Sequence, residues 1–370
     1  MLKKKIKGEK ILVKTFKRRL NVALTYNVKP ESTTFTEELP LVQSTDSVQT
    51  QPVIDTYAEW DTWETINALK EAIEVYHDVT LIEANDNAFE KFKSSRPDIV
   101  FNIAEGINGS SRESQIPAIL DMLNIPYLGS DALTLGICLD KARTKEILSY
   151  YKIPNAKFLV IEKYKPLSNH SFEFPLIVKP ISEGSSKGIF SSSLVKNYQE
   201  LNDEVQRVLN EYNQPALIEE FLPGREFTVA VLGNGSEAET LPIIEILYEE
   251  FPSGVEHLYS YEAKWILDTK EKEFNVFECP AKLDKDLKKQ ITDIVLKTYE
   301  ILRCKDWSRI DVRLDKNGVP NIIEINPLPG IMPDPTENSS FPKAARAAGM
   351  TYNEMIQSAL YAACKRYNLL

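Results

Sequence analysis

The chain has 370 residues, 43% of them hydrophobic and 26% charged, which is typical of a globular protein with room for two or three domains. Its formal net charge of -10 argues against a general nucleic-acid binder, because neutralising phosphates requires a basic surface. No apolar run approaches the roughly 18 residues of a membrane span, so we expect a cytoplasmic protein.

A basic tail occupies residues 1–19, where the lysines and arginines are accompanied by a single acid, Glu9. Such a tail would contact anionic lipid or nucleic acid, or it would be solvated and poorly ordered. The solvated tail is the commoner case, and we favour it.

The next segment, residues 20–129, predicts a parallel α/β domain that binds substrate. Short apolar runs at 21–26, 79–82 and 98–102 predict strands, and the polar stretch 29–51 predicts a loop. Asp61-Thr62-Trp63-Glu64 resembles the start of a capped helix with an apolar stripe behind it. Because strands alternate with a helix, we expect them to be parallel.

Two further domains complete the predicted organisation. Residues 130–221 contain a predicted helix at 139–148 and a predicted strand at 176–179, whereas residues 222–370 are richer in strands. The four cysteines are scattered and only three histidines are present, so zinc sites and histidine-based triads have little support. Catalysis would then rest on lysine, arginine, carboxylates and backbone.

Two strand-like runs in the last domain carry oxygen ligands of the kind that Mg²⁺ binds. The first run contains Arg309-Ile310-Asp311-Val312, and the second contains Glu324-Ile325-Asn326. Paired as a hairpin, they would place Asp311, Glu324 and Asn326 around one hard cation, which suggests a bound nucleotide. A strand-end aspartate and an ordinary Asn-Pro turn explain the same residues equally well.

A second candidate site is the loop Glu183-Gly184-Ser185-Ser186-Lys187-Gly188, which follows the predicted strand ending at Lys179-Pro180. Glycines beside small hydroxyl residues let backbone N–H groups converge on phosphate oxygens, and such a loop can close over a nucleotide. The alternative is a hairpin turn that needs glycine for its backbone conformation. For the loop alone, the hairpin is slightly favoured.

Two other segments carry weaker signals. Residues 217–226 include Glu219 and Glu220 before a Pro-Gly turn, and they would hold adenine and ribose or form a solvated acidic linker. Lys264 lies beside aromatic residues, where it would reach a transferring phosphate or be an ordinary surface lysine. Neither segment decides between the two interpretations.

In their order along the chain, these segments resemble the ATP-grasp ligases, and within them the D-alanine:D-alanine ligases. The resemblance extends from about Phe101 to Gly349. It rests on matching blocks at residues 101–106, 125–130, 140–141, 177–180, 183–188, 219–226, 261–264, 279–281, 309–312 and 324–330.

The resemblance implies a three-domain α/β protein with an N-terminal parallel α/β domain, a central α+β domain and a C-terminal α+β domain. ATP would lie between the second and third domains. The nucleotide-binding residues would be Lys141 and Lys179 for phosphates, Glu183, Ser185, Ser186 and Gly188 in the covering loop, Glu219, Glu220 and Leu222 around adenine, Glu226 for ribose and Lys264 for the terminal phosphates.

The implied reaction phosphorylates a substrate carboxylate with ATP and lets an amine attack the acyl phosphate, forming an amide. Two Mg²⁺ ions, or Mn²⁺ instead, would be ligated by Asp311, Glu324 and Asn326. Arg309 and the Gly330 amide would stabilise the oxyanion of the tetrahedral intermediate. Lys264 and Ser185 would also act at the reacting groups.

The first departure from the family pattern concerns the ammonium of the first substrate. Residues 24–30 lack the Gly-rich turn and the glutamate that holds this group in the family. Glu31, Glu59 or Asp61 would substitute, although Asp61 is equally well explained as a helix cap.

A second departure is the segment 105–115, which replaces the family's His-Gly and Gly-Glu-Asp-Gly pattern and introduces Arg112. Its guanidinium would pair with a substrate carboxylate, or structurally with Glu105 or Glu113. The structural pairing is slightly favoured.

The remaining departures follow the lid lysine and the metal-binding hairpin. Trp265 replaces a family tyrosine, and residues 331–336 replace a Met-Thr and His-Ser pattern that holds the second carboxylate. Asp334 in this segment would attract an amine, and Asn326 is followed by proline instead of threonine.

The leading hypothesis is therefore an ATP-dependent carboxylate–amine ligase acting on amino acids or small acids other than two D-alanines. The alternatives are an authentic D-alanine:D-alanine ligase and an ATP-binding regulator without turnover. The family resemblance also suggests a homodimer.

Overall fold

The computed structural model describes residues 16–30, 57–106, 108–168, 171–251, 258 and 276–370. The predictions at Lys264, Trp265 and Glu31 lie outside these residues, as does the tail up to residue 15. The described residues form three sheets, one for each predicted domain.

The first sheet is parallel, as predicted, with strands in the order β2-β1-β3-β4. Its strands are β1 (Asn21–Tyr26), β2 (Asp78–Glu83), β3 (Ile99–Asn102) and β4 (Tyr127–Leu128), and its helices are α1 (Trp63–Glu74), α2 (Ala88–Ser95) and α3 (Gln115–Leu123). Short apolar strands and an amphipathic helix therefore fold as their patterns predict.

One local prediction in this domain is wrong. The cap of α1 is Thr62, whose side chain accepts a hydrogen bond from the Thr65 amide, whereas the backbone of Asp61 pairs with Val28. Arg18 and Arg19, the last residues of the basic tail, are exposed and form ion pairs with Asp98 and Asp78 at the sheet edge, and the solvated tail stays a prediction.

The helix predicted at 139–148 is α5 (Lys141–Tyr150), which begins two residues later than predicted, and Leu139 instead ends a preceding helix, α4 (Ala132–Leu139). Asp140 separates them because its backbone is extended and its carboxylate caps α5 by accepting from the Arg143 amide. This break places Lys141 in the first turn of α5.

The central sheet is antiparallel, in the order β5-β8-β6-β7, with one helix packed on it. The elements are β5 (Phe158–Ile161), β6 (Leu176–Pro180), β7 (Leu194–Val195), α6 (Tyr198–Glu211) and β8 (Ala216–Glu220). Val178, Val205 and Ile218 lie in the core between α6 and the sheet. The covering loop leaves this sheet directly after β6.

The C-terminal sheet is also antiparallel, in the order β12-β11-β9-β13-β14, with β10 paired to β9. Its elements are β9 (Glu226–Leu232), β10 (Glu239–Thr240), β11 (Ile244–Ile246), β12 (Phe277–Glu278), α7 (Lys285–Ile301), β13 (Trp307–Leu314), β14 (Pro320–Asn326), α8 (Ser340–Ala347) and α9 (Tyr352–Arg366). Among the described helices, none has both the length and the apolar character that crossing a bilayer requires.

The first and last sheets are joined through a shared core. This core contains Leu69 of α1, Trp307 of β13 and Leu360 of α9, and Gln357 donates to the Ala72 carbonyl across it at 2.6 Å. The opposite face of the last sheet packs on α7, α4 and α5. The three-domain α/β fold class is confirmed, while the boundaries at 129/130 and 221/222 stay predictions.

Candidate active site

The C-terminal sheet presents one apolar and one polar face at the site. In β9 and β13, alternate residues such as Val229 and Ile310 pack against α7. Because side chains alternate between the two faces of a strand, the residues next to them point to the opposite face. On that face Asp311 lies opposite Thr228 in the neighbouring strand. The sequence alternation thus places the candidate metal ligands away from the core.

A β-bulge adjusts the hairpin where the predicted ligands meet. Asp311 pairs with Glu324, but Val312 pairs with Ile322, so Ile323 is an extra residue in β14. The bulge turns both Ile323 and Glu324 towards the cleft, whereas Ile322 and Ile325 stay in the core.

Arg309 and Lys141 surround the two carboxylates. The Arg309 guanidinium lies 3.1 Å from Asp311 Oδ2 and 3.6 Å from Glu324 Oε2, and Lys141 Nζ lies 3.0 Å from Glu324 Oε1. Burial raises the pKa of Asp311, and Arg309 opposes this only in part. Burial acts on Glu324 too, but Lys141 and Arg309 outweigh it and lower the pKa of Glu324 to about 2.

The arrangement fits a hard cation. Asp311 Oδ1 is buried and has no hydrogen bond of regular geometry with any described residue, although Thr228 lies opposite Asp311. Glu324 contributes a second carboxylate, and Asn326 follows on the same strand with its amide oxygen accepting from the Leu328 amide at 3.0 Å. Two carboxylates and one amide are the donor types that Mg²⁺ and Mn²⁺ accept.

The opposite wall of the cleft comes from the central domain. Lys179 at the end of β6 and Lys145 on α5 both form ion pairs with Glu219 of β8, the latter at 2.6 Å. Burial would raise the pKa of Glu219, but the two lysines lower it to about 2. The predicted phosphate lysine and the predicted adenine-binding glutamate are thus direct partners.

The two walls enclose a cleft with an empty volume of about 1040 Å³, part of it open to solvent. Most of the residues predicted to bind nucleotide line this cleft: Lys141, Lys179, Ser185, Ser186, Glu219, Glu220, Leu222 and Glu226. Arg309, Asp311 and Glu324 line its other side. Residues from distant parts of the sequence therefore face one space, as the resemblance implies.

The covering loop has an unusual backbone. Ser185 and Ser186 have φ angles of 50° and 62°, in the left-handed region that residues with side chains rarely adopt. Gly188 has φ 72°, and a Cβ at this position would overlap the ring of Pro180. Gly188 is therefore required at this turn, although it does not line the cleft.

At the end of the cleft nearest β11, Glu226 is tied to two partners. Its Oε2 accepts hydrogen bonds from Tyr248 and from Arg313, each at 2.7 Å. Arg313 also lines the cleft and lies over the ring of Phe221. A ribose at Glu226 would share the carboxylate with these partners.

Besides Gly188, three predicted residues lie outside the cleft. Gly330 lines neither of the two cavities described here and is exposed. Asn326 and Glu183 line a second, smaller cavity next to the β13–β14 hairpin. Glu183 Oε2 is paired with Arg112 at 3.2 Å and with Lys187 at 2.8 Å.

The second cavity is acidic. One oxygen each of Glu59, Glu105 and Glu113 lie within 4.8 Å of one another. Burial and the neighbouring carboxylates raise the pKa of Glu105 well above its usual value and raise that of Glu113 to about 8.

Arg112 has the structural role that the sequence favours, but its partners are Glu59 and Glu183 instead of Glu105 or Glu113. Its Nη2 lies 3.0 and 2.7 Å from the two oxygens of Glu59. Glu59 Oε1 also accepts from the Gly184 amide at 2.9 Å, which connects the first domain to the covering loop.

Sequence reasoning missed Lys145 and Arg313, which are only 2% and 4% exposed. The spacing of Lys145 from Lys141 on one helix was an available signal, because residues four apart share a helix face. Arg313 lies two residues beyond Asp311 on the same strand face, which was a second signal.

Comparisons with known proteins agree with this geometry. The family described as "D-ala D-ala ligase C-terminus" matches residues 147–361. The uncharacterized protein y4sG of Sinorhizobium fredii is 35% identical over 269 residues, covering 73% of this chain and 75% of that protein. D-alanine–D-alanine ligase of Actinobacillus pleuropneumoniae is 32% identical over 288 residues, covering 77% of this chain and 86% of that enzyme.

Solved structures show the same fold. Two crystal structures of D-alanine–D-alanine ligase from Bacillus anthracis, one of them complexed with ATP, superpose with TM-scores of 0.66 and 0.68 at 22% and 23% identity. Each superposition covers 94% of this chain and 99% of the ligase chain. The chain therefore belongs to the D-alanine–D-alanine ligase family of ATP-grasp enzymes, which are ATP-dependent ligases that form carbon–nitrogen bonds.

Proposed function

We propose that the protein phosphorylates a carboxylate with ATP and then joins it to an amine, with substrates other than two D-alanines. A carboxylate oxygen takes the terminal phosphoryl group and ADP leaves. The amine nitrogen then attacks the acyl carbon, the bond from this carbon to the phosphate oxygen breaks, and the amine loses a proton. The observation that carries this proposal is the single cleft that gathers Arg309, Asp311, Glu324 and two lysines.

The nucleotide would lie between the central and C-terminal sheets. Lys141 and Lys179 would balance phosphate charge, and the loop carrying Ser185, Ser186 and Gly188 would cover the phosphates. Glu219, Glu220 and the Leu222 backbone would hold adenine, and Glu226 the ribose. Because Glu219 is ion-paired with Lys179, it would also fix the direction of that lysine.

Magnesium would be held by Asp311, Glu324 and Asn326, as two ions or with Mn²⁺ in their place. The support is the unsatisfied Asp311 oxygen and the oxygen-only donor set. When bound, the metal supplies positive charge that offsets the phosphate charge during transfer. Lys141 and Arg309, which contact the same carboxylates, would add to that charge.

Arg309 would stabilise the oxyanion that develops when the amine attacks, since it lies beside the metal-binding carboxylates and faces the cleft. The proposed contribution of the Gly330 amide rests on its sequence position alone. The proposed roles of Lys264 and Ser185 likewise come from the family resemblance.

The identity of the substrates separates the first candidate from the second, an authentic D-alanine–D-alanine ligase. The sequence identity to enzymes of that name favours the second candidate. The acidic cavity, with Glu105 at a position where the family has a histidine, favours the first, because a cavity of carboxylates repels a substrate carboxylate. ADP formation that requires only D-alanine would select the second candidate.

We further propose a cytoplasmic location and a homodimer. All four cysteines are free thiols, which is typical of a reducing compartment. The dimer is proposed from the family resemblance.

The oxyanion role of Arg309 is tested by Arg309→Ala in the full chain. We expect turnover to fall about 100-fold or more, in the range found for removing one oxyanion donor, while ATP affinity changes only a few-fold. The measurement is ADP formation with an active acid–amine pair alongside nucleotide binding, with exposed Arg143→Ala as the control. Equal losses in turnover and in ATP affinity would contradict the role.

A further inference from the structure

The second cavity adjoins the proposed reaction cleft. Its empty volume is about 350 Å³, and Lys141, Ser185 and Glu324 line both spaces. A molecule in the second cavity would therefore lie beside Glu324 and Lys141, next to the proposed nucleotide cleft. A substrate of the proposed reaction has to lie next to the nucleotide.

The cations near this cavity are already paired. Arg112 binds Glu59 and Glu183, Lys187 binds the same two carboxylates, and Lys141 binds Glu324. A substrate carboxylate entering the cavity would have to displace one of these pairs. Charge therefore disfavours a ligand that brings a carboxylate into this space.

Two lining carboxylates lack such partners. Glu105 and Glu113 form no hydrogen bond or ion pair through their side chains with any residue that the structure describes. Glu113 is nevertheless only 8% exposed, and it lines the cavity. An ionised carboxylate without a partner is costly to bury, which is why burial raises the pKa of Glu113, and a cationic ligand in the cavity would offset that cost.

The three oxygens are close enough together for one ammonium group to contact all of them. Three acceptors that each lie about 2.8 Å from one tetrahedral nitrogen are about 4.6 Å apart. Oxygens of Glu59, Glu105 and Glu113 lie within 4.8 Å of one another. Because both Glu59 oxygens already accept hydrogen bonds, Glu105 and Glu113 would hold the ammonium. Burial raises the pKa of both carboxyls in the empty cavity, and a bound cation would favour their ionised forms.

We propose that this cavity binds the ammonium group of a substrate that has no carboxylate beside that ammonium. The inference rests on the proposed ligase function and specifies the chemical class of one substrate, an alkylamine, a diamine or an amino-acid amide. Glu113 and Glu105 are its binding residues. An ammonium has no lone pair, so it would pass one proton to the surrounding carboxylates before it attacks and a second as the amide forms.

Three small probes that differ in one group each test the inference. Glycinamide carries an ammonium without a carboxylate, glycine carries both, and acetamide carries neither. Binding to the full chain is measured by NMR titration at pH 7, with Mg²⁺ and a non-hydrolysable ATP analogue present. We expect glycinamide to bind at least tenfold more tightly than glycine or acetamide, and Glu113→Gln and Glu105→Gln each to remove that preference.

Glu90→Gln is the matched control, because it removes the same charge at an exposed position on α2. This control is expected to keep the preference for glycinamide. Glycine binding as tightly as glycinamide, or an unchanged preference in both cavity variants, would overturn the inference. Affinity for the ATP analogue is measured separately, so loss of nucleotide binding by the wild type would count against the proposed function instead.

Discussion

Asp311 and Glu324 show how far single residues are predictable from sequence. Two adjacent apolar runs with polar interruptions predict a hairpin that brings these carboxylates together, and the structure pairs them in register. Their different charge states are not predictable locally. The pKa of Glu324 is low because Lys141 comes from a distant helix, whereas that of Asp311 is raised by burial.

Glu113, by contrast, is not predictable as a site residue, since nothing in its local sequence distinguishes it from a surface glutamate. Its environment is made by Glu59 and Glu105, which come from two other segments. The cavity exists only after the first domain and the covering loop meet through Arg112. Such a site requires the tertiary structure.

The raised pKa of Glu113 predicts the pH dependence of stability. Burial raises its pKa to about 8, so between the ordinary value of 4.5 and about 8 the folded state holds more protons than the unfolded state. The free energy of unfolding therefore falls as pH rises through this range. We expect Glu113→Gln to be more stable than the wild type at pH 8 by about 1–3 kcal/mol, with the difference shrinking towards pH 5.

Denaturant unfolding at pH 5, 6.5 and 8 measures this difference. Glu90→Gln is again the control, because its carboxylate is exposed. A Glu113→Gln protein that is less stable than the wild type at pH 8 would show that the buried carboxylate is stabilised by contacts, contrary to the prediction.

At the scale of elements, sequence patterns predict strands better than they predict where a helix begins or where strand pairing is irregular. The strand at 21–26 is found with its predicted bounds. The predicted start of the helix at 139–148 is wrong because Asp140 is its N-cap and Leu139 belongs to the preceding helix. The bulge at Ile323 is likewise not predictable from the alternation of apolar and polar residues, because that pattern assumes regular strand pairing.

The covering loop yields a prediction at this scale. Gly188→Ala would place a methyl group into Pro180 at a left-handed backbone position, so the loop would have to move. We expect nucleotide affinity to fall about tenfold or more, because the loop cannot then close over the phosphates as proposed. Titration with an ATP analogue measures the change.

Gly318→Ala is a matched control for that substitution. Gly318 has a similar φ of 79°, but an added Cβ would meet nothing within 4 Å, and the residue lies in the turn between β13 and β14. Gly318→Ala should lower the free energy of unfolding by about 1 kcal/mol, since the added side chain disfavours the left-handed backbone, while nucleotide affinity stays unchanged. Equal nucleotide affinity in the two variants would exclude a role for the loop in nucleotide binding.

For the whole molecule, the sequence predicts an α/β protein of three domains, and the structure confirms this fold class. It does not predict how the domains share their cores. Arg366 near the C-terminus binds buried Asp306 at 2.7 Å and also donates to the Gly129 carbonyl, which holds the first domain on the last. Contacts between such distant residues leave no local pattern.

The central claim, that ATP activates a carboxylate for attack by an amine, is tested most directly with an acid whose carboxylate oxygens are ¹⁸O. The full-length protein, Mg²⁺ and ATP are incubated with panels of labelled acids and amines, and ADP, amide and inorganic phosphate are analysed by mass spectrometry. We predict ADP only when acid and amine are both present, in equal amount to the amide, with one labelled oxygen transferred to phosphate. Label found in AMP, or ADP formed at a rate independent of both substrates, would contradict the claim.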